Sequence, residues 1–137
     1  MADIEKNKRA VLVLYETVFR GHDFSRLDEI MRDDYIQHNA DCPQGKAGFV
    51  QFFEEIFAGI PDFRYDMLRI VAEGDFVMMY STTTGTHRHE WLGCPPTGNR
   101  LEFNVVDIFR LEDGLIAEHW DVADTLTLFT TIGRVKA

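Results

Sequence analysis

Asp107, Glu118, Asp121 and Asp124 are acids set among Val, Ile, Phe and Trp, in the stretches Asp107-Ile108-Phe109-Arg110 and Glu118-His119-Trp120-Asp121-Val122-Ala123-Asp124. Glu112-Asp113-Gly114 between them is a turn signal, so the two stretches read as strands of one hairpin. Strands rich in β-branched and aromatic residues have at least one face against a core. A carboxylate on such a face is costly unless paired or hydrogen-bonded, and burial or a like charge moves its pKa toward neutrality. General acid/base chemistry needs groups of that kind. The hairpin therefore points to a pocket.

Side-chain alternation divides the hairpin into two faces. With Arg110 toward solvent, Phe103, Val105, Asp107 and Phe109 face inward. A tight connection that pairs Phe109 with Ile116 puts Glu118, Trp120, Val122 and Asp124 on the same inward face, with His119 and Asp121 opposite. A bulge or a slip of one residue would reverse the second strand. In this register Asp107 and Asp124 share one apolar surface and could share a proton. Glu118 is either a third pocket acid or a partner for Arg88 or Arg100.

His38 and Asn39 open a loop after the short extended piece 35–38 and could donate over the pocket mouth. His87 and His89 flank Arg88 at a strand end, and a His-x-His pair can ligate a metal with Glu90 or an aspartate as third ligand. His22 and His119 read as surface or subunit-contact residues. Trp120 reads as pocket wall or core, and Trp91, in a Gly/Pro loop, could close the entrance. Tyr15, Phe53, His87, Phe103 and Val105 complete the candidate substrate-binding set. There is no Ser-His-Asp order, phosphate-cradling glycine loop or dinucleotide fingerprint.

These side chains must be positioned by a predictable series of elements. Val11, Leu14, Tyr15, Val18 and Phe19 recur at helical spacing in a first helix, 3–20, stopped by Gly21. Phe24, Leu27, Ile30 and Met31 predict a second short helix, with Asp23 or Ser25 as cap. A third, 46–58, carries Phe49, Phe52, Phe53, Ile56 and Phe57 along one side. After Gly59-Ile60-Pro61 the pattern becomes strands, at 63–72, 76–86, 100–111 and 115–124, with a Gly/Pro loop over 87–99. Helices followed by an antiparallel meander define an α+β layout. The apolar tail 125–133 is expected to pack on this body or on a partner subunit.

The chain has 137 residues, which predicts a single domain over 1–137. A 12% aromatic content, with eleven Phe, suggests a pocket lined by rings. The formal charge of -9 argues against nucleic acid and anionic membrane partners, which need clustered Lys and Arg. No apolar run approaches a membrane span and the first residues lack a signal-peptide plan, so a cytoplasmic protein is expected. Cys42 and Cys94 lie beside prolines in loops and read as free thiols rather than a disulfide.

Taken together, Tyr-Ile-Gln-His-Asn at 35–39, Gly-x-Pro-Pro-Thr-Gly-Asn-Arg at 93–100, Val-Asp-Ile-Phe-Arg at 106–110 and the stretch 113–126 resemble the SnoaL-like polyketide cyclase family. That family lies within the nuclear-transport-factor-two-like superfamily. The resemblance covers nearly the whole chain and is strongest over 93–126. It implies a cone-shaped α+β barrel, with three N-terminal helices packed on a strongly curved, mainly antiparallel β-sheet. It also implies a homodimer through the outer sheet face, with His119 and Asp121 near the contact. The chemistry implied is ring closure by intramolecular aldol condensation without metal or cofactor, using a pocket Asp assisted by His, Asn and Gln. The family's acid in its Trp-x-x-x-Asp stretch falls on Asp124, and Asp107 stands where relatives often have His.

The expectation is an enzyme acting on a small apolar or aromatic carbonyl compound, by aldol-type cyclisation or a related isomerisation. Asp124 would remove the proton alpha to the carbonyl, and Asp107, His38 or Asn39 would donate to the enolate oxygen. The alternatives are a binding protein without turnover, and an epoxide-type hydrolase using paired acids. The hydrolase wants an Arg two residues before the strand Asp, where this chain has Val105.

Overall fold

The structure is a computed structural model and describes residues 3–135. Helix α1 (Ile4–Leu14) starts where the Asp3 carboxylate accepts the Lys6 N–H at 3.0 Å, and it runs on as a π-helical stretch over Tyr15–Arg20. Its Val11, Leu14, Val18 and Phe19 are buried, as the helical spacing predicts. Helix α2 (Gly45–Gly59) buries Phe49, Phe52, Phe53 and Ile56 on one face. Each such Phe contributes about 1.5–3 kcal/mol by leaving water. Phe53 packs between Phe49 and Phe19, with ring centroids 4.7 and 5.2 Å away.

The strands are β1 (Met31–Gln37), β2 (Arg64–Glu73), β3 (Phe76–Thr86), β4 (Arg100–Glu112) and β5 (Leu115–Ala123). They form one sheet in the order β1-β5-β4-β3-β2. All neighbours are antiparallel except β1 and β5, which run parallel, so the sheet is mixed. The helices cover the inner face, between which the buried aromatic core sits.

Two expectations about helices are corrected. The segment around Phe24–Met31 contains only a 3₁₀ turn, Leu27–Glu29, and Met31 already begins β1. Ladder pairing of β1 with β5 outweighs the weak helical spacing of that segment. The third helix is instead C-terminal: α3 (Thr125–Ile132) packs along β4, burying Leu128 and Ile132. The tail thus lies on the body of the same chain.

The hairpin parity is corrected as well. On the turn side of a bulge Leu111 pairs with Ile116, but Arg110 pairs with Glu118 and Phe109 with His119. Ala117 is the extra residue, and both Ile116 and Ala117 are buried. From there on β5 is flipped: His119 and Asp121 point to the inner face, while Glu118, Trp120 and Val122 point out. The assignment of β4 is unaffected, with Val105, Asp107 and Phe109 buried.

Candidate active site

A cavity of about 300 Å³ lies between the inner sheet face and the helices. Phe49, Phe52 and Phe53 of α2, Leu101, Phe103 and Val105 of β4, and Leu128 and Phe129 of α3 form apolar walls, with Trp91 from the 87–99 loop. Polar groups line the cavity too: Gln37 at the end of β1, His38, Asn39 and Asp41 after it, and Asp107, His119 and Asp121 on β4 and β5. A few convergent polar groups in an apolar concavity are what a small-molecule site looks like.

The polar groups are positioned by strand register. Asp107 pairs directly with Asp121, and His119, two residues before Asp121, shares its face. Gln37 of β1 pairs with His119 of β5, so parallel pairing brings its amide to the imidazole. Gln44 fastens Gln37 in place, accepting its backbone N–H at 2.9 Å and donating to its carbonyl at 2.7 Å. Those bonds occupy backbone groups of β1, an edge strand.

The hydrogen-bond network determines where protons sit. Gln37 Oε1 accepts the backbone N–H of Asn39 at 3.0 Å, so it is the amide oxygen, and Nε2 donates to the Tyr35 hydroxyl at 2.8 Å. His119 Nδ1, 2.8 Å from that oxygen, must therefore carry hydrogen. His119 Nε2 lies 2.8 Å from Asp107 Oδ1. A bond there requires one proton between the pair, on either imidazole or carboxyl. Asp107 is 2% exposed and His119 8%, so the shared proton is shielded from bulk water.

Burial pushes the Asp107 carboxyl above the usual carboxylate range; the His119 hydrogen bond opposes this, and the nearby Asp121 charge adds to the rise. Asp107 Oδ2 is buried without a hydrogen-bond partner among the described residues, at a cost of about 1–3 kcal/mol. Asp121 is half-buried, and its Oδ2 accepts from Asn39 Nδ2 at 3.0 Å. Asn39 is itself held, its Oδ1 accepting the Asp41 N–H at 2.9 Å. Burial pushes the Cys42 thiol up to about 11, so at neutral pH it is a thiol and not a nucleophilic thiolate. Cys42 and Cys94 are both free.

Of the residues predicted from sequence, Asp107, His38, Asn39, Phe53, Trp91, Phe103 and Val105 line the cavity. His38 only borders the cavity: its ring is turned to the outer side, stacked on Trp120 at 4.8 Å with Nε2 2.7 Å from Glu118 Oε2, so the expected donation over the pocket mouth is corrected. Other expectations are corrected. Asp124 is the exposed N-cap of α3: its carboxylate accepts the Thr127 N–H at 3.2 Å and hydroxyl at 2.6 Å, and it does not line the cavity. Tyr15 is a core strut, donating to the Tyr65 carbonyl at 3.3 Å and accepting the Met67 N–H at 3.0 Å. His87 is wholly buried outside the cavity wall, with Nδ1 3.0 Å from the Thr97 hydroxyl. Glu118 pairs with Arg110 and His38 rather than Arg88 or Arg100, and Trp120 packs outside near Phe76. His119 and Asp121, expected near a subunit contact, stand in the cavity. His22, expected at the surface or at a subunit contact, is half-buried, with its ring stacked on Phe57 at 3.7 Å.

Gln37 and His119 are the cavity residues that sequence reasoning missed, and Asp121 faced inward there only under a second strand slipped by one residue. Alternation along Tyr35-Ile36-Gln37 carried a signal for the first, since Tyr35 and Gln37 are buried and Ile36 is exposed. The other two depended on the bulge.

A mixed sheet backed by helices that enclose an aromatic cavity, with acids and imidazole on its inner face, defines an α+β protein with an internal pocket. The model of the SnoaL-like polyketide cyclase family matches residues 9–132, and the chain belongs to that family. It is 29% identical over 104 residues to nogalonic acid methyl ester cyclase of Streptomyces nogalater, covering 72% of this chain and 76% of the relative. Among solved structures, TsrD from Streptomyces laurentii superposes with a TM-score of 0.87 at 26% identity, covering 98% of this chain and 100% of TsrD. IdmH from Streptomyces antibioticus superposes at 0.76 with 30% identity, covering 93% and 98%. The likeness extends over both the helices and the sheet.

Proposed function

We propose that this protein closes a ring by intramolecular aldol condensation of a small aromatic or polyketide carbonyl compound, using its own acids and imidazole. The observation that carries the reading is the 2.8 Å hydrogen bond between His119 Nε2 and Asp107 Oδ1, beside a second carboxylate, in an apolar cavity. Asp121, with one oxygen held by Asn39, takes the proton alpha to the substrate carbonyl. The shared proton of Asp107 and His119 is donated toward the developing enolate oxygen and returns as the alpha carbon bonds to a second carbonyl carbon of the substrate, whose alkoxide oxygen takes the proton held by Asp121. Aromatic walls hold the flat substrate and exclude water. No Lys or Arg lines the cavity among the described residues, which favours a neutral ester or ketone over a free acid.

The named relative's substrate, a methyl ester, is consistent with that preference. The test is a turnover screen of wild type and Asp121→Asn against aromatic polyketide esters and small ketosteroids. Loss of the base should cost about 100- to 10,000-fold in rate while binding survives. Full activity of Asp121→Asn on a responsive substrate overturns the assignment, and binding without turnover by wild type favours a binding protein.

Pairing of two copies through the outer sheet face is part of the same proposal. Phe76, Met78, Tyr80 and Val122 are exposed there by 42%, 42%, 37% and 67%. A monomer by light scattering at micromolar concentration would refute it.

A further inference from the structure

The Asp107–His119–Asp121 cluster has donors that one proton does not exhaust. One ligand-type atom from each lies within 4.8 Å of the others, on directly paired strands. Asp107 Oδ2, on a side chain 2% exposed, has no partner among the described residues. His119 commits Nδ1–H to Gln37 Oε1 and turns Nε2 to the carboxylate. That is how metal-binding imidazoles are held, with the second nitrogen tied to a carbonyl that fixes the tautomer and the ring. Asn39 orients Asp121 in the same manner.

We propose that this cluster binds a single divalent first-row transition ion, and that the ion and the shared proton are alternative occupants. Two carboxylate oxygens and one neutral imidazole nitrogen suit Zn²⁺, Mn²⁺ or Fe²⁺, whereas Ca²⁺ and Mg²⁺ prefer oxygen alone. The ion bonds to His119 Nε2 and to a carboxylate oxygen each of Asp107 and Asp121. The proton between Asp107 and His119 leaves to solvent. Three protein ligands leave coordination positions open to the cavity. An occupied cluster has no proton to transfer, so the ion silences the acid/base chemistry proposed above. That consequence rests on the cyclase reading; the binding itself does not.

The experiment is calorimetric titration of Zn²⁺ into metal-free wild type, with Co²⁺ absorption spectra reporting coordination. One saturable ion per chain is expected, with a spectrum of four- or five-coordinate Co²⁺. His119→Gln and Asp107→Asn should abolish it, and Asp121→Asn should weaken it. Gln37→Leu should weaken it about 10- to 100-fold. Cys94→Ser and His89→Gln should bind like wild type. Absence of saturable binding to wild type overturns the proposal, as does retention in His119→Gln or loss in Cys94→Ser or His89→Gln. Should the two buried replacements fail to fold by circular dichroism, unchanged affinity in half-buried Asp121→Asn overturns it. None of these outcomes depends on finding a substrate.

Discussion

Asp107 and Asp121 are cross-strand partners on β4 and β5, so two carboxylates that repel one another share a single wall of an apolar cavity. They are made compatible by unlike surroundings. Asp107 is enclosed and shares a proton with His119, whereas Asp121 is half-buried and hydrogen-bonded by Asn39. Acid and base roles separate when environments push paired groups apart.

Replacing Asp107 by Asn tests its burial through pH. Because burial raises its pKa, the folded state binds this proton more tightly than the unfolded chain. The associated stability is fully present below the ordinary carboxylate pKa and is lost as pH rises through the raised value. Asp107→Asn lacks that loss, so its Tm minus that of wild type should grow more positive as pH rises from about 4 to about 8. A flat difference would show that the carboxyl is not displaced upward. Turnover by the variant should fall about 100- to 10,000-fold.

Gln37→Leu removes the oxygen that receives His119 Nδ1–H and the Asn39 N–H. Leaving those buried donors unpaired should cost about 1–3 kcal/mol in denaturant unfolding. Turnover should drop further than stability explains, because the imidazole is then free to rotate away from Asp107. A pH–rate profile displaced relative to wild type would mark this positioning role, and an unchanged profile would deny it.

Asp124→Ala separates capping from chemistry. The Thr127 hydroxyl and N–H hold the Asp124 carboxyl below the usual range. Its stabilisation is thus present above the ordinary carboxylate pKa and is lost as pH falls through the lowered value. The variant should have a lower Tm at neutral pH, a smaller deficit in acid, and wild-type turnover. Lost turnover at retained Tm would return Asp124 to the site.

Gly48→Ala probes the loop that carries Asn39. A Cβ at Gly48 would run into the carbonyl of Pro43, which is backbone and has no rotamer to escape by. The overpacking should cost about 1–3 kcal/mol. It should also raise KM more than it lowers kcat, as the 39–43 segment at the cavity edge is displaced.

Composition and periodicity alone carried two helices and the antiparallel strands of this protein, but not α3 or the full extent of β1. Helical spacing at Val11–Phe19 and Phe49–Ile56, and alternation over 76–86 and 100–111, correspond to α1, α2, β3 and β4. Asp107 was legible as an inward acid because strand parity on β4 is uninterrupted. Motif likeness pointed to the family. What the tertiary structure decided was the second half of the site. One extra residue, Ala117, reverses every side chain after it, because the period of a strand is two residues. Local sequence does not announce such a bulge, since Ile116 and Ala117 are both apolar and both fit the core. The flip sends His119 and Asp121 into the cavity and leaves Asp124 past the strand end to cap α3. Gln37 reached the site only through parallel pairing of β1 with β5, a contact between segments some eighty residues apart that no local pattern encodes.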